Sequence, residues 1–525
     1  MASAEPTNPA FRPPGIFSAR YLAEQAFSRA AGAPLVPGNE ARILRNAEEN
    51  YPAWLAAIRD AKERVHFESY IIKDDRAGRT FAEAFIRKAR EGVRVRVIYD
   101  WLGGRGNVTG RFWKTLRAEG VEVLCFNPPR PDNPAAWLSR DHRKLMVVDG
   151  VVGYVGGLCV GDNWVGDPDR GIEPWRDTAV ELRGPAVADL DWSFTEMWKS
   201  AGGEAGVGEG EFSDGQTAPP AGDIALRVVA TNPNTASLYR LEQLIAALAR
   251  RSIWLTDAYF VATTPFLQAL TAAAMDGVDV RLLVPRVSDI PLVRELSRAG
   301  YRPMLEAGVR VFEWNGAMLH AKTAVVDGRW ARVGSSNLNV ASWIGNWELD
   351  VVVEDQGFAA EMERMYLDDL AHATEIVLGR SRRITPVERR RRHRLPRRRQ
   401  GSAGRAATGV LAITNTIGAV ITRRRTLGPA EARLMVSAGV MLLLLSVTGW
   451  IWPLVLAIPL GILGAWLGIV LLLNAYRLWR ENRLQLQAAP GVGAASGAER
   501  KAPSRPVSEQ ASVRNSTESQ LESKQ

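Results

Sequence analysis

Only two cysteines occur in the 525 residues, Cys125 and Cys159. Two thiols cannot build a disulfide framework, and their spacing matches no zinc site, so the chain demands neither an oxidising compartment nor a cysteine-held metal. Histidine is also scarce, with five in the chain: His66, His142, His320, His372 and His393. Met1 to Pro14 lacks the basic start and apolar run of a secretory signal, which argues against a cleaved leader. The longest absence is one of charge. Leu434 to Tyr476, 43 residues, contains no Asp, Glu, Lys or Arg.

A bilayer-spanning helix needs about 20 apolar residues, so this uncharged stretch has room for two. Pro453 and Pro459, with Gly449 and Gly461 nearby, mark a turn between helices near 434–452 and 458–476. Arg423, Arg424, Arg425 and Arg433 precede the stretch, and Arg477, Arg480 and Arg483 follow it. Positive flanks at both ends predict that the hairpin enters and leaves on the cytoplasmic side. The net charge of +9 is concentrated beside it. Gly379 to Arg433 holds sixteen arginines against Glu388 and Glu431, a net of +14, which leaves −5 for the remainder. An arginine run next to a membrane hairpin reads as a contact with anionic lipid, and nucleic acid is not an expected partner.

The first 378 residues contain one pattern twice. Gly92-Val93-Arg94-Val95, Gly120-Val121-Glu122-Val123 and His142 to Gly150 recur as Gly277-Val278-Asp279-Val280, Gly308-Val309-Arg310-Val311 and His320 to Gly328. The offsets are 185, 188 and 178 residues, so order is kept while loops differ. Helical apolar spacing at Phe81 to Glu91 and Pro265 to Asp276, each followed by a β-branched run, predicts two α/β units. The Gly-, Pro- and acid-rich segment 201–223 reads as the linker between them.

His142 and His320 each open an identical His-x-Lys-x-x-x-x-Asp-Gly motif at the same place in the repeat. Alternate residues of a strand share a face, so His142 projects with Lys144, and His320 with Lys322. Asp149 and Asp327 complete the motifs with opposite parity. They are either members of the catalytic set or turn-formers before a glycine, and the parity favours the turn. Chemistry on a phosphodiester needs a nucleophile, a proton donor for the leaving alkoxide, and positive charge at the oxygens. Two imidazoles and two ammonium groups meet these needs without a metal or other cofactor. Gly156-Gly157 and Gly334-Ser335-Ser336-Asn337 follow the motifs. Their small residues permit close approach to a phosphate, with Gly157, Ser336 and Asn337 as candidate contacts.

These paired motifs resemble the signature of the phospholipase D superfamily. Glu68-Ser69-Tyr70-Ile71, Trp175-Arg176-Asp177-Thr178, Ala258-Tyr259-Phe260 and Gly334-Ser335-Ser336-Asn337-Leu338, with Asn346 and Glu348, are similar to bacterial cardiolipin synthases, closest to forms without N-terminal membrane helices. The resemblance implies duplicated phospholipase D-like α/β sandwich domains sharing one active site, followed here by the transmembrane helical hairpin. It implies that His142 attacks a phosphatidyl phosphorus and His320 protonates the leaving glycerol. Lys144, Lys322, Ser336 and Asn337 would hold the phosphate oxygens, and Asp177 and Glu348 would orient the histidines. Two phosphatidylglycerol molecules would yield cardiolipin and glycerol through a phosphohistidine. A phospholipase D hydrolysing or transphosphatidylating other phospholipids is the alternative, ahead of a nucleic-acid phosphodiesterase. Three positions depart from the family pattern: Cys159 stands where Asn is usual, Asn339 where Asp is common, and the hairpin is C-terminal.

The expected organisation is then an extension over 1–35, phospholipase D-like domains over 36–200 and 224–378, an Arg-rich juxtamembrane segment over 379–433, two transmembrane helices within 434–479, and a disordered tail over 480–525. The corresponding location is the inner membrane, multi-pass, with the catalytic domains on the cytoplasmic side and phospholipid substrates in reach. Deleting every residue after Gly379 is expected to release the protein from membranes while both repeats still fold. Flotation with vesicles checks this, and a truncated protein that still floats tightly bound contradicts the anchor.

Overall fold

The computed structural model describes residues 19–129, 139–204, 218–378 and 384–386, together with isolated positions between 440 and 476. The first repeat contributes β1 (Val36–Arg45), β2 (Arg64–Ser69), β3 (Arg94–Asp100), β4 (Glu122–Phe126), β5 (Lys144–Val148), β6 (Val152–Gly156) and β7 (Thr178–Arg183). The second contributes β8 (Ile224–Thr231), β9 (Ser252–Thr256), β10 (Asp279–Pro285), β11 (Arg310–Trp314), β12 (Thr323–Val326), β13 (Trp330–Gly334) and β14 (Glu348–Val353). Two edge strands follow, β15 (Ala373–Leu378) and β16 (Ile384–Pro386).

All sixteen join one sheet in the order β16-β15-β11-β10-β9-β12-β13-β14-β8-β1-β7-β6-β5-β2-β3-β4. Outward from the antiparallel β1–β8 junction, each repeat presents the same succession, so the duplication seen in the sequence is a duplication of topology. Parallel neighbours such as β2–β3 and β9–β10 require a crossover, which the helices Arg76–Arg90 and Thr264–Met275 supply. The first of these starts earlier than its apolar spacing suggests. The Asp75 carboxylate accepts the Gly78 N–H at 3.1 Å and caps a turn that is mostly polar.

The motif strands are buried on both faces, and their side chains sort by parity. Met146 and Val148 enter the core of the first repeat, and Ala324 and Val326 that of the second. Leu145, Val147 and Val325 point the other way, into a core shared by both repeats with Val180, Leu182, Phe194, Val333, Leu349, Val351 and Met362. Each such side chain contributes roughly 1.5–3 kcal/mol relative to exposure, so this shared layer binds the repeats together. Arg176 adds a buried bidentate pair across the same boundary, donating to Asp369 at 2.8 and 2.9 Å.

Each motif ends in a tight turn. Asp149 and Gly150 have φ of 53° and 68°, and Asp327 and Gly328 have 54° and 62°, the left-handed pair that an Asp-Gly dipeptide tolerates. The Asp149 carboxylate accepts the backbone N–H groups of Lys62, Glu63 and Arg64 at 2.8–2.9 Å. Asp327 does the same for Arg250, Arg251 and Ser252 at 2.7–2.9 Å. This bonding favours the turn-forming role over a place in the catalytic set. Both stand at the far end of a strand from the histidine, with their oxygens committed to the chain.

The chain divides into two units, Met1–Ile458 and Pro459–Gln525. The expected hairpin over 434–479 falls largely outside the described residues, as do most of the Arg-rich segment and the tail. Among the described residues no helix is long and apolar enough to cross a membrane. The described positions from Val440 to Tyr476 are helical, and Leu443, Leu444, Ile469 and Leu472 among them are exposed.

Asp149→Ala and Asp327→Ala are each expected to lower stability by about 1–2 kcal/mol, as for a lost cap, with turnover per folded molecule nearly unchanged. Thermal melts alongside activity check this. A large loss of turnover at an unchanged melting point would return these aspartates to the chemistry.

Candidate active site

The two histidines are held by the same device, crossed between repeats. His142 precedes β5 by two residues, and its Nδ1 meets Glu348 of β14 at 2.9 and 3.1 Å. His320, in the second repeat, meets Asp177, at the start of β7, at 2.7 Å. The backbone follows the same exchange. The His142 N–H donates to Trp347 O at 2.9 Å, and the His320 N–H to Arg176 O at 2.7 Å. Trp347 N–H and Arg176 N–H donate back to Arg140 O and Met318 O, both at 2.8 Å. Each motif is therefore stitched to the residue just before the acid that orients it.

Lys144 Nζ donates to the His142 carbonyl and Lys322 Nζ to the His320 carbonyl. Each ammonium also lies over a tyrosine ring, Tyr70 at 5.3 Å and Tyr259 at 5.8 Å. The same tyrosines meet the histidine rings edge-on, with centroids 5.0 and 5.9 Å apart. The environments then diverge. Trp164 and Trp175 pack on His320 at 5.6 and 5.7 Å, and the Trp164 indole N–H donates to Asp177 at 2.9 Å. Glu348 instead accepts from Ser335 Oγ at 2.5 Å and Asn346 Nδ2 at 3.3 Å.

Electrostatics bring the two halves into one site. Burial pushes His142 down to about 4, and the charges of Lys144 and Lys322 push in the same direction, against the pull of Glu348. Burial likewise pushes His320 down to about 3, helped by Lys322 and Lys144. Each lysine thus acts on the histidine of the other repeat as well as its own. Burial lowers Lys322 to about 8. Burial would raise Asp177 and Glu348, yet the facing histidine and lysine overcome it and hold both carboxyls below their usual range. Ionised carboxylates only accept, so each Nδ1 carries the hydrogen and each Nε2 presents a lone pair.

The glycine and polar residues after the motifs serve the site less directly than their spacing suggests. A Cβ on Gly157 would stand 2.1 Å from Asp177 Oδ1, and its N–H already donates to Thr178 O at 3.1 Å. Gly157 makes room for the orienting acid, and its amide is taken. Ser336 is buried and its hydroxyl donates to Asp350, which also takes Arg332 at 3.1 Å. Asn337 differs: it is buried, and its side-chain oxygen has no partner among the described residues. Asn339 donates to Tyr259 O and accepts the Ser342 N–H, both at 3.0 Å, a pairing that needs both ends of an amide. Cys159, at the position matching Asn337, is buried, and its carbonyl accepts the Tyr51 hydroxyl at 2.7 Å. Among the described residues no group of three or more His, Cys, Asp or Glu side chains is arranged to hold a metal. The roles of Ser335, Trp164 and the crossed pairing have no signature in spacing; the only hint is that Asp177 and Glu348 follow their motifs at comparable distances.

His66 lies outside this constellation. It is buried, stacked on Phe194 at 4.3 Å and bonded to Asp191 at 2.7 Å.

Known proteins are similar to this chain in sequence and in fold. The profile of a family described as cardiolipin synthase, PLD-like domain, matches residues 54–197 and 242–370, together just over half of the chain. A cardiolipin synthase of Alkalihalophilus pseudofirmus is 34% identical over 346 residues, covering 65% of this chain and 68% of that protein. Cardiolipin synthase A of Pseudomonas fluorescens is 35% identical over 375 residues, covering 70% and 75% respectively. A crystal structure of phosphatidylserine synthase from Haemophilus influenzae superposes with a TM-score of 0.53 at 16% identity, over 67% of this chain and 91% of that one, a likeness of fold. With both repeats matched by the family profile, and relatives about 34% identical over some two thirds of their length, the chain belongs to the PLD-like cardiolipin synthase family.

Proposed function

We propose that the protein is a phosphatidyltransferase that forms cardiolipin from two phosphatidylglycerol molecules, with release of glycerol. The observation that carries this reading is the crossed pair of imidazoles, each with Nε2 free of its carboxylate and each under the charge of both lysines. The family relatives support the choice of substrate.

In the first step the His142 Nε2 lone pair forms a bond to phosphorus as the bond from phosphorus to the glycerol oxygen breaks. That oxygen takes a proton from His320, and glycerol leaves. In the second step the primary hydroxyl of another phosphatidylglycerol gives its proton to His320 and attacks phosphorus, while the phosphorus–nitrogen bond breaks and His142 is restored. His142 takes the nucleophile's part by its place in the first motif. Lys144 and Lys322 neutralise the phosphate oxygens, and the buried Asn337 amide supplies a further contact. His320 is neutral in the empty site at neutral pH, yet must donate a proton. An incoming phosphodiester brings the negative charge that two adjacent lysines otherwise deny it, and so raises the imidazole's affinity for a proton. Asp177 then stabilises the imidazolium.

The lipid substrate supports a membrane-facing mouth. Val165, Ile172, Val287 and Ile344 are exposed apolar side chains on the loops that carry Trp164, Trp175, Asp289 and Trp347. The uncharged stretch 434–476 supplies the anchor in this reading, with the arginines before it against anionic lipid at the cytoplasmic face.

Labelled phosphatidylglycerol incubated with the purified protein is expected to give cardiolipin and glycerol. Phosphatidic acid as the main product would make it a hydrolase instead. His142→Ala and His320→Ala are each expected to lower turnover by roughly 10³-fold or more, whereas His66→Ala stays within a few-fold. Appreciable turnover by the double variant contradicts the mechanism. kcat/KM is expected to fall as pH rises through about 8, where Lys322 loses its charge, and to fall again toward pH 4 as His142 gains a proton. A flat profile from pH 7 to 10 would remove Lys322 from the charge balance.

A further inference from the structure

One half-buried cation near the site takes no part in the mechanism above. Lys73 follows β2 by four residues, and its Nζ donates to Asn163 Oδ1 at 2.9 Å. Among the described residues no carboxylate lies within 4.0 Å of that ammonium. The nearby acids are committed elsewhere. Asp75 accepts the N–H groups of Gly78 and Asp162 at 3.1 and 2.8 Å, and Asp162 accepts that of Ala77 at 3.0 Å. Burial lowers the Lys73 pKa, the expected cost for an ammonium with only a neutral partner. The chain also makes a passage for the side chain, since a Cβ on Gly161 would stand 2.8 Å from Lys73 Cδ.

Both anchors of this lysine adjoin the active-site rings. Tyr70, three residues before Lys73, packs on His142, and Trp164, next after Asn163, packs on His320. The strand-like contact between Ile72 and Val160, with Lys73 N–H donating to Val160 O at 3.1 Å, fixes the two segments side by side. The charge of Asp289 acts on Lys73 and Tyr70 alike. Lys73 therefore stands beside the site without belonging to either motif.

Transfer to a second phosphatidylglycerol sets a requirement that transfer to water or glycerol does not. The acceptor carries its own anionic phosphodiester, a glycerol's length from the attacking hydroxyl. Lys144 and Lys322 are occupied with the reacting phosphate, so a second anion needs a second cation. We propose that Lys73, with the Asn163 amide beside it, binds the unreacting phosphodiester of the acceptor lipid and so selects a lipid alcohol over a small one. This inference rests on the transferase reading above and names the acceptor subsite of that same centre.

The test compares two reactions of the full-length protein in mixed micelles: cardiolipin formation from phosphatidylglycerol, and exchange of labelled free glycerol into phosphatidylglycerol. Both use the same donor and the same phosphohistidine, but only the first has an anionic acceptor. Lys73→Met is expected to lower the ratio of cardiolipin formation to glycerol exchange about tenfold, through a raised KM for the acceptor, and Lys73→Arg to recover most of it. Asn163→Ala is expected to shift the ratio in the same direction, and it serves as the second variant if Lys73→Met does not fold. An unchanged ratio, with both rates falling together or neither falling, overturns the proposal. A wild-type protein that exchanges glycerol but makes no cardiolipin would instead overturn the transferase reading itself.

Discussion

Each motif imidazole is oriented by a carboxylate that the other repeat supplies, and this exchange constrains the rest of the molecule. A bond of 2.7–2.9 Å between ring and acid tolerates little relative movement of the strands that carry them. The repeats must therefore be locked together, and the structure locks them three times over. β1 and β8 continue one sheet across the boundary, a shared apolar core fills the layer beneath the motif strands, and Arg176 pairs with Asp369 in the interior. Neither repeat alone contains a motif histidine with its acid, so half of this protein is expected to be no enzyme at all.

The same burial that rigidifies the site loads it electrostatically. Two histidines, two lysines and two carboxylates are withdrawn from water within one centre. The carboxylates stay ionised because each faces an imidazole and an ammonium, and the imidazoles stay neutral because burial and both ammonium groups oppose their protonation. An empty site of this kind is short of negative charge. In the proposed mechanism a phosphodiester supplies it and lets one ring take up a proton as the other attacks, so that the substrate itself completes the acid–base pair. The surrounding tyrosines and tryptophans pack against these rings and ammonium groups, and their low polarity strengthens the attraction of the lysines for phosphate oxygens.

Much of this was legible in the residues. Strand parity put His142 with Lys144 and His320 with Lys322, and the duplicated spacing announced a duplicated topology. Parity also argued that Asp149 and Asp327 form turns, which is how the chain uses them. What spacing did not carry is anything that depends on how the repeats meet. Asp177 and Glu348 were identifiable by resemblance, but a linear sequence does not say that each serves the opposite histidine. Gly157 and Ser336 looked like phosphate contacts because small and hydroxyl residues suit that role; in the fold one makes room for Asp177 and the other bonds Asp350. Ser335, one position earlier, was the residue that reached the acid. Such neighbours differ in direction along an irregular segment, where neither a helical nor a strand period applies. Lys73 escaped notice for a related reason, since a lone lysine outside a motif acquires meaning only when its carboxylates prove to be engaged elsewhere.

The central claim is geometric: two imidazoles from different repeats flank a single phosphorus. Vanadate adopts the five-coordinate shape of a phosphoryl group in transfer, so a crystal structure of the protein soaked with vanadate tests the claim without relying on any rate. The account predicts one vanadate between His142 Nε2 and His320 Nε2, with Lys144 and Lys322 on its equatorial oxygens. Separate anions at the two histidines, or one anion held by a single ring while the other points away, would contradict it.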